Sequence, residues 1–194
     1  MTRARLGASL LMLAALAGWA GCTERAPEQP CACAEAAPPV DAPLMAFLSK
    51  ARAAHHQADQ REEAQDIAGA ITALEQITAT SLGATGSLPE AREVLSDTRA
   101  RLADLRSQIG KYDEAELDLV EGLKLAPKDS YFEGHLHEMR GVSEERRAKT
   151  SAESGDKAGS EAARRRAFES FEKAIDVQDR VIRKELGDAE GEKR

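Results

Sequence analysis

Two cysteines near the amino terminus are the residues whose type and spacing could most directly do chemistry. Cys31 and Cys33 are separated by one residue, and paired thiols can form a redox couple or bind a soft metal ion. A disulfide across one residue is strained, because its geometry favours Cα atoms about 5.5–6 Å apart. No second group of cysteines or histidines follows to complete a tetrahedral metal site. The sequence therefore favours two exposed thiols in a linker and leaves a thiol-active or metal-binding pair as the alternative.

The four histidines lack the spacing of a metal site. His55 and His56 are adjacent, and His135 and His137 are two positions apart, so their side chains diverge on a helix. Two imidazoles that share a metal ion on one helix are usually four residues apart. The chain also lacks a Gly-x-Gly-x-x-Gly motif, a phosphate-binding glycine loop with lysine, and a His-Glu-x-x-His motif. We therefore expect a protein that is not an enzyme and has no metal ion or cofactor.

The elements that position any functional residue are predicted to be helices. The chain has 194 residues, of which only one Trp, two Tyr and four Phe are aromatic. Residues that favour strands are scarce, whereas strong helix formers are abundant, so the composition predicts an all-α protein. The formal net charge is −7, which argues against nucleic-acid binding, because such proteins present a basic face to the phosphates.

The amino-terminal segment has the pattern of a secretory signal. Arg3 and Arg5 form a basic start, an apolar run extends over residues 6–20, and Cys22 follows a small residue. The apolar run is shorter than the about 20 residues that a membrane-spanning helix needs. We therefore interpret residues 1–21 as a cleaved signal peptide.

The tripeptide Ala20-Gly21-Cys22 resembles the lipobox of bacterial lipoproteins. The resemblance implies cleavage before Cys22 and lipidation of this cysteine, with acyl chains that anchor the protein to a membrane of the bacterial cell envelope. Thr23 stands where Asp would imply retention at the inner membrane, so the resemblance favours the periplasmic face of the outer membrane. The alternative is an ordinary cleaved signal followed by an unrelated cysteine.

The mature chain is predicted to consist of a tether, a helical domain and a short tail. Residues 22–43 contain five prolines, which block helix interiors and favour a semi-rigid, extended spacer. Residues 44–186 form the helical domain, and residues 187–194 form a charged tail that we expect to fray.

Apolar residues recur three and four positions apart through the helical domain, which predicts six helices. Ser87 with Glu90 and Ser130 with Glu133 have the spacing of capping boxes, which mark helix starts. Gly110 is predicted to end the third helix in a left-handed conformation. The predicted helices span residues 44–63, 66–78, 87–110, 113–125, 130–151 and 161–185, with loops at 81–87 and 154–159.

Small and large residues alternate at fixed spacing in the middle of this domain. The pattern comprises Ala103, Ala115, Leu119, Gly122 and Pro127. It resembles the tetratricopeptide repeat (TPR), a family of 34-residue helix pairs, and places a repeat at residues 96–129. Arg99 stands where the family has a large aromatic residue.

Two weaker copies of the same pattern flank this repeat. The first has Ala58, Ala70, Leu74 and Ile77; the third has Gly141, Ala167, Phe171 and Ala174. The resemblance implies three antiparallel helix pairs stacked as a short TPR-like solenoid. Gly141 and Ala167 are 26 positions apart, whereas Ala103 and Ala115 are 12 apart. The difference is about four helical turns, so we expect each helix of the last pair to be about two turns longer.

In this repeat family, ligands usually contact exposed residues on the first helix of each pair. Transferred by the register above, the partner-binding residues are Arg52, His55, Asp59, Glu62, Glu63, Asp97, Ala100, Asp104, Ser107 and Gln108. The resemblance then implies an acidic and polar groove that suits a basic or extended peptide segment. The arginine- and glutamate-rich clusters at 144–147 and 164–166 are interpreted as a salt-bridged helix surface or, alternatively, a charged docking strip.

Three functions remain open at this point. The favoured hypothesis is a lipid-anchored envelope protein that acts as a protein–protein interaction adaptor or scaffold through its TPR-like surface, in envelope assembly or secretion. The second is a structural spacer or self-associating stalk without a specific client. The third is a thiol- or metal-active lipoprotein that uses Cys31 and Cys33.

Overall fold

The computed structural model describes residues 41–191, and within this range the prediction of an all-α fold is confirmed. The α-helices are α1 (Ala42–Glu63), α2 (Ile67–Thr78), α3 (Pro89–Gln108), α4 (Tyr112–Leu125), α5 (Tyr131–Glu153) and α6 (Lys157–Gly191), and a 3₁₀ helix spans Gly83–Ser87. The described range contains no strand. The signal segment, Cys22, Cys31 and Cys33 lie outside the described residues. No helix in the described range is both long enough and apolar enough to cross a membrane.

Short polar side chains begin several of the helices. Asp41 accepts a hydrogen bond from the amide of Leu44 at 2.9 Å, and Asp66 caps α2 in the same way. Ser130 caps α5 as predicted: the amide of Glu133 donates to Ser130 Oγ at 3.3 Å. The Glu133 carboxylate accepts at 2.7 Å from the amide of Asp129, one residue before the N-cap of a regular capping box.

The capping box predicted at Ser87 is wrong. Leu88 is the N-cap of α3 and forms no side-chain cap, while Ser87 Oγ donates to the carbonyl of Ala84 within the 3₁₀ turn. Pro89 at the first helical position instead orients the start of α3, because its fixed φ is already helical.

The last helix is longer at both ends than the apolar spacing predicted. It begins at Lys157, where Gly155 at φ 84° turns the chain after α5, and it continues through Gly191 into the predicted tail. Asp156 accepts a hydrogen bond from the amide of Gly159 at 2.9 Å, which places a helix start inside the predicted 154–159 loop.

Consecutive helices pack against each other, and α3 and α5 each also contact both helices of the preceding pair. Three apolar clusters form the core. The first contains Ala58, Ala70, Leu74 and Leu102, the second Phe47, Ala51, Ile77 and Ala91, and the third Ala100, Ala103, Ala115, Leu119 and Leu136. The small residues let the helix backbones approach, and the leucines fill the remaining space.

The helices α5 and α6 extend further toward their connecting turn than α3 and α4 do. The two helices share this extra length evenly. Twelve residues of α5 follow Gly141, whereas five residues of α3 follow Ala103. Ten residues of α6 precede Ala167, whereas three residues of α4 precede Ala115. Each helix thus gains seven residues, or about two turns, as the spacing predicted.

Candidate partner-binding groove

A groove of about 360 Å³ lies where α1, α3 and α5 come together. Its walls are Leu48, Ala51, Arg52 and His55 from α1, Glu93, Val94 and Asp97 from α3, and Phe132 from α5. Residues three and four positions apart share a helix face, so α1 and α3 each present one face to this groove. We call this surface the α1–α3–α5 groove.

His55 is held in one orientation by neighbours on α3. Its Nε2 lies 2.9 Å from Thr98 Oγ1, and Thr98 Oγ1 itself donates to the carbonyl of Val94 at 2.7 Å. Because the hydroxyl proton is used there, Nε2 of His55 is the donor to Thr98. The Nδ1 atom then accepts from Arg101 Nη1 at 3.4 Å, which fits the neutral tautomer.

Burial lowers the pKa of His55 below its ordinary value, and the positive charge of Arg101 lowers it further, whereas Asp97 and Asp59 raise it. A second proton on the ring would have to sit at Nδ1, next to the guanidinium of Arg101. The imidazole therefore acts as a neutral hydrogen-bonding wall of the groove at neutral pH.

The structure places the ten sequence-predicted site residues in four different environments. Three of them, Arg52, His55 and Asp97, line the α1–α3–α5 groove together. Glu63 and Gln108 are exposed outside its lining, and the Gln108 amide donates to Asp104 at 2.9 Å. The prediction that Ala100 and Ser107 are exposed is wrong, since their exposed fractions are 0% and 1%.

Ala100 and Ser107 are buried because α5 covers that side of α3. Ala100 belongs to the third core cluster with Leu136 of α5. Ser107 Oγ accepts a hydrogen bond from Arg146 of α5 at 2.5 Å and donates to the carbonyl of Asp104 at 2.8 Å.

The remaining three predicted residues are carboxylates that arginines of the next pair neutralise. Arg101 of α3 pairs with Asp59 at 2.5 Å and also with Glu62. Arg146 of α5 pairs with Asp104 at 2.7 Å. These three carboxylates therefore do not form the free acidic surface that was predicted, because arginines from elements far away in the sequence pair with them.

Sequence reasoning missed a buried carboxylate at the centre of the chain. Asp118 of α4 is 1% exposed, pairs with Arg99 at 2.5 Å and also pairs with Arg106. The signal available was Arg99, which occupies the position where the repeat family has a large aromatic residue. Each arginine donates to a different oxygen of this carboxylate, so Asp118 accepts two charge-assisted hydrogen bonds.

A second, charged pocket of about 460 Å³ lies between α4, α5 and α6. Its lining comprises Glu116, His137, Arg140, Glu144, Arg166, Glu169, Ser170 and Lys173. Arg140 pairs with Glu116 at 2.9 Å, and Arg166 pairs with Glu144 at 2.8 Å. These pairs support the interpretation of the charged clusters as a salt-bridged helix surface. Burial, followed by Lys173 and Arg140, lowers the pKa of His137 to about 4.

No group of three or more potential metal ligands occurs among the described residues. No protein-family model matches the chain, and the comparisons with curated proteins and with solved structures found no match. Function is therefore inferred from the geometry and chemistry of the surfaces described above.

Proposed function

We propose that this protein is a lipid-anchored adaptor of the bacterial cell envelope, in which three TPR-like helix pairs form a short solenoid. Its α1–α3–α5 groove binds a segment of another envelope protein. The lipobox at Cys22 supplies the anchor, and the proline-rich segment between Cys22 and the start of α1 serves as the spacer between the anchor and the helical domain.

The TPR-like arrangement is supported by the contacts of the first helix in each pair. α3 packs against α1 and α2, and α5 packs against α3 and α4, as stacking of successive pairs requires. The small and large residues of the middle pattern support it as well, since Ala103, Ala115 and Leu119 are each 0% exposed. Such stacking brings the first helices side by side on one surface.

The groove itself is the observation that carries the proposal. It joins apolar side chains of three helices, including Phe132, to Asp97, Glu93 and Arg52. Neither Asp97 nor Glu93 forms an ion pair with another described residue. A groove with an apolar floor and free carboxylates suits an extended segment that carries a basic and an apolar side chain.

Site-specific photocrosslinking of the full-length lipoprotein in intact envelopes tests this proposal. A photoreactive amino acid replaces Arg52 or Asp97 in the groove, and Gln57, which is exposed elsewhere on α1, serves as the matched control. We expect one crosslinked species of defined mass from both groove positions and none from Gln57, with identification by mass spectrometry.

Charge reversal provides the second arm of the test. Asp97→Arg combined with Glu93→Arg should reduce crosslinking from position 52 at least tenfold, while circular dichroism shows unchanged helicity. Asp104 is unsuitable for reversal because it pairs with Arg146. Equal crosslinking from groove and control positions, or crosslinks only to a second copy of the chain, would contradict the adaptor and favour a self-associating stalk.

A further inference from the structure

Large apolar side chains are exposed along one side of α6. Phe168, Ile175 and Ile182 are seven residues apart and are 64%, 61% and 54% exposed. Side chains at this interval share one face of a helix. A groove of about 540 Å³ lies beside them, between Phe171 and Ile175 of α6 and Gly134 and Glu138 of α5. We call this surface the end face, because no described helix covers it.

In the preceding pair, α3 and α4, the surface that corresponds to the end face is covered by the next helix. Counted from the small residues Ala115 and Ala167, Leu119 corresponds to Phe171 and Leu123 to Ile175. Leu119 is 0% exposed and Leu123 is partly buried, because Leu136 of α5 packs into the same cluster. On the α3–α4 pair, this surface is thus covered by α5, which inserts Leu136.

Arginines of α3 and α5 form ion pairs with the helix pair that precedes each of them. We call each contact between successive pairs a junction. At the first junction, Arg101 of α3 pairs with Glu62 of α1, and Arg106 pairs with Glu75 of α2 at 2.6 Å. At the second junction, Arg146 and Arg140 of α5 pair with Asp104 and Glu116 at 2.7 and 2.9 Å. At both junctions, α3 and α5 therefore bring buried leucine side chains and two arginines that pair with carboxylates on both helices of the preceding pair. In α3 the arginines flank Leu102 and Leu105 in the sequence.

The last pair, α5 and α6, has glutamates at the positions that correspond to Glu62 and Glu75 of the first junction. Glu62 lies four residues after Ala58, and Glu145 lies four residues after Gly141. Glu75 lies five residues after Ala70, and Glu172 lies five residues after Ala167. Both Glu145 and Glu172 are exposed, and neither forms an ion pair or hydrogen bond with another described residue.

A second copy of this chain stacked head to tail would not supply the complementary helix. The positions of α1 that correspond to Leu102 and Leu105 of α3 are Gln57 and Gln60, and both are exposed. These two positions of α1 are thus polar, whereas the end face has exposed apolar side chains, and the same pair carries two unpaired carboxylates.

We propose that the end face binds an amphipathic helix of a partner protein, in which two leucine-like side chains are flanked by two arginines or lysines. The spacing is that of Arg101, Leu102, Leu105 and Arg106 in α3. The apolar side chains cover Phe168 and Phe171, which correspond to the Ile71 and Leu74 that cluster with Leu102 and Leu105. The cations pair with Glu145 and Glu172. This surface is distinct from the α1–α3–α5 groove and does not depend on it.

A peptide with the sequence of residues 91–108 of this chain is a direct probe of the end face. A hydrocarbon staple between positions 96 and 100 keeps it helical and lies opposite the Arg101–Leu102–Leu105–Arg106 side. Binding to the full-length lipoprotein in detergent is measured by fluorescence anisotropy. We expect Glu145→Arg with Glu172→Arg to weaken binding at least tenfold, because both cations lose their partners.

Two matched comparisons distinguish these specific ion pairs from a general effect of net charge on peptide affinity. Glu169→Arg with Asp176→Arg makes the same charge change on exposed residues elsewhere on α6 and should leave the affinity within twofold. A peptide with Arg101→Glu and Arg106→Glu should bind the Glu145→Arg, Glu172→Arg variant more tightly than it binds the wild type.

Absence of peptide binding, or equal affinity for all three proteins, would overturn the proposal. Sedimentation of the wild-type protein as a dimer that Ile175→Asp converts to a monomer would also overturn it, because the occupant would then be a second copy. The groove variants at Asp97 and Glu93 should bind the peptide normally, so failure here is distinguishable from failure of the adaptor proposal.

Discussion

His137 is a buried imidazole whose neighbours oppose its protonation. It is 3% exposed, and burial, Lys173 and Arg140 together lower its pKa to about 4. In the unfolded chain its pKa is near 6.5, so the unfolded state binds more protons between about pH 6.5 and pH 4. The stability that neutral His137 allows is therefore fully present above pH 6.5 and is lost as the pH falls through this window.

The pH dependence of unfolding tests this assignment. Between pH 7 and pH 4.5, the wild type should lose about 2 kcal/mol more unfolding free energy than His137→Gln, measured by urea denaturation. His135→Gln is the control for replacing a histidine on the same helix, because His135 is more exposed. Parallel pH profiles for the wild type and His137→Gln would contradict the assignment.

Arg99 makes a contact that its position in the sequence did not predict. Arg99 forms an ion pair with Asp118, which lies 19 positions away. Neither charge alone indicates burial. Only the packing of α3 on α4 brings them together, so the pair was not predicted.

Close approach of α5 and α6 depends on the missing side chain of Gly141. A Cβ atom built there would lie 2.6–2.7 Å from three ring atoms of Phe171. Phe171 is half-buried, and its ring lies against α5 at this position. The glycine is therefore required by packing, although glycine in a helix interior costs about 1 kcal/mol relative to alanine.

We expect Gly141→Ala to lower the unfolding free energy by about 1–3 kcal/mol through overpacking, despite the gain in helix propensity. Gly187→Ala is the matched control on α6, because a Cβ atom added there would meet nothing within 4 Å, and it should be neutral or slightly stabilising. Urea denaturation measures both. Equal effects of the two substitutions would show that the approach at Gly141 is not tight.

Helix starts illustrate what local sequence predicts and what it does not. Ser130 and Ser87 have the same Ser-x-x-Glu spacing, yet only Ser130 caps a helix. Ser87 is used by the preceding 3₁₀ turn, and Pro89 lets α3 begin without a side-chain cap. Ser87 could either cap α3 or form a hydrogen bond within the 3₁₀ turn, and the sequence pattern alone does not indicate which of the two forms.

α5 completes an apolar cluster of α3 and α4. Leu136 of α5 shares a cluster with Ala100 and Ala103 of α3 and with Leu119 of α4, and all four are 0–1% exposed. Removing α5 and α6 would expose this cluster to water. The middle pair therefore relies on its neighbour to complete its apolar core.

A chain that ends at residue 128 should therefore unfold at a lower urea concentration than the full-length protein and bind a hydrophobic dye. A chain that ends at Glu185 is the control, because residues 178–187 are largely exposed. It should keep the wild-type midpoint. Equal midpoints for the 128-residue and full-length proteins would show that the pairs fold independently.

The sequence by itself determined the helices and the residues on which they pack. Periodicity of three and four residues identified the helical segments, and the small–large–small spacing identified buried positions such as Ala103 and Leu119. These features are local, because a helix repeats every 3.6 residues whatever lies next to it.

Only the tertiary structure decided which charges are available on the surface. Asp59, Glu62 and Asp104 belong to ion pairs with arginines about 40 residues away, whereas Asp97, Glu145 and Glu172 form none with described residues. It also decided that α5 buries Ala100 and brings Phe132 to the groove. Ion pairing and burial depend on distances between distant segments, and those distances follow from how the helix pairs stack.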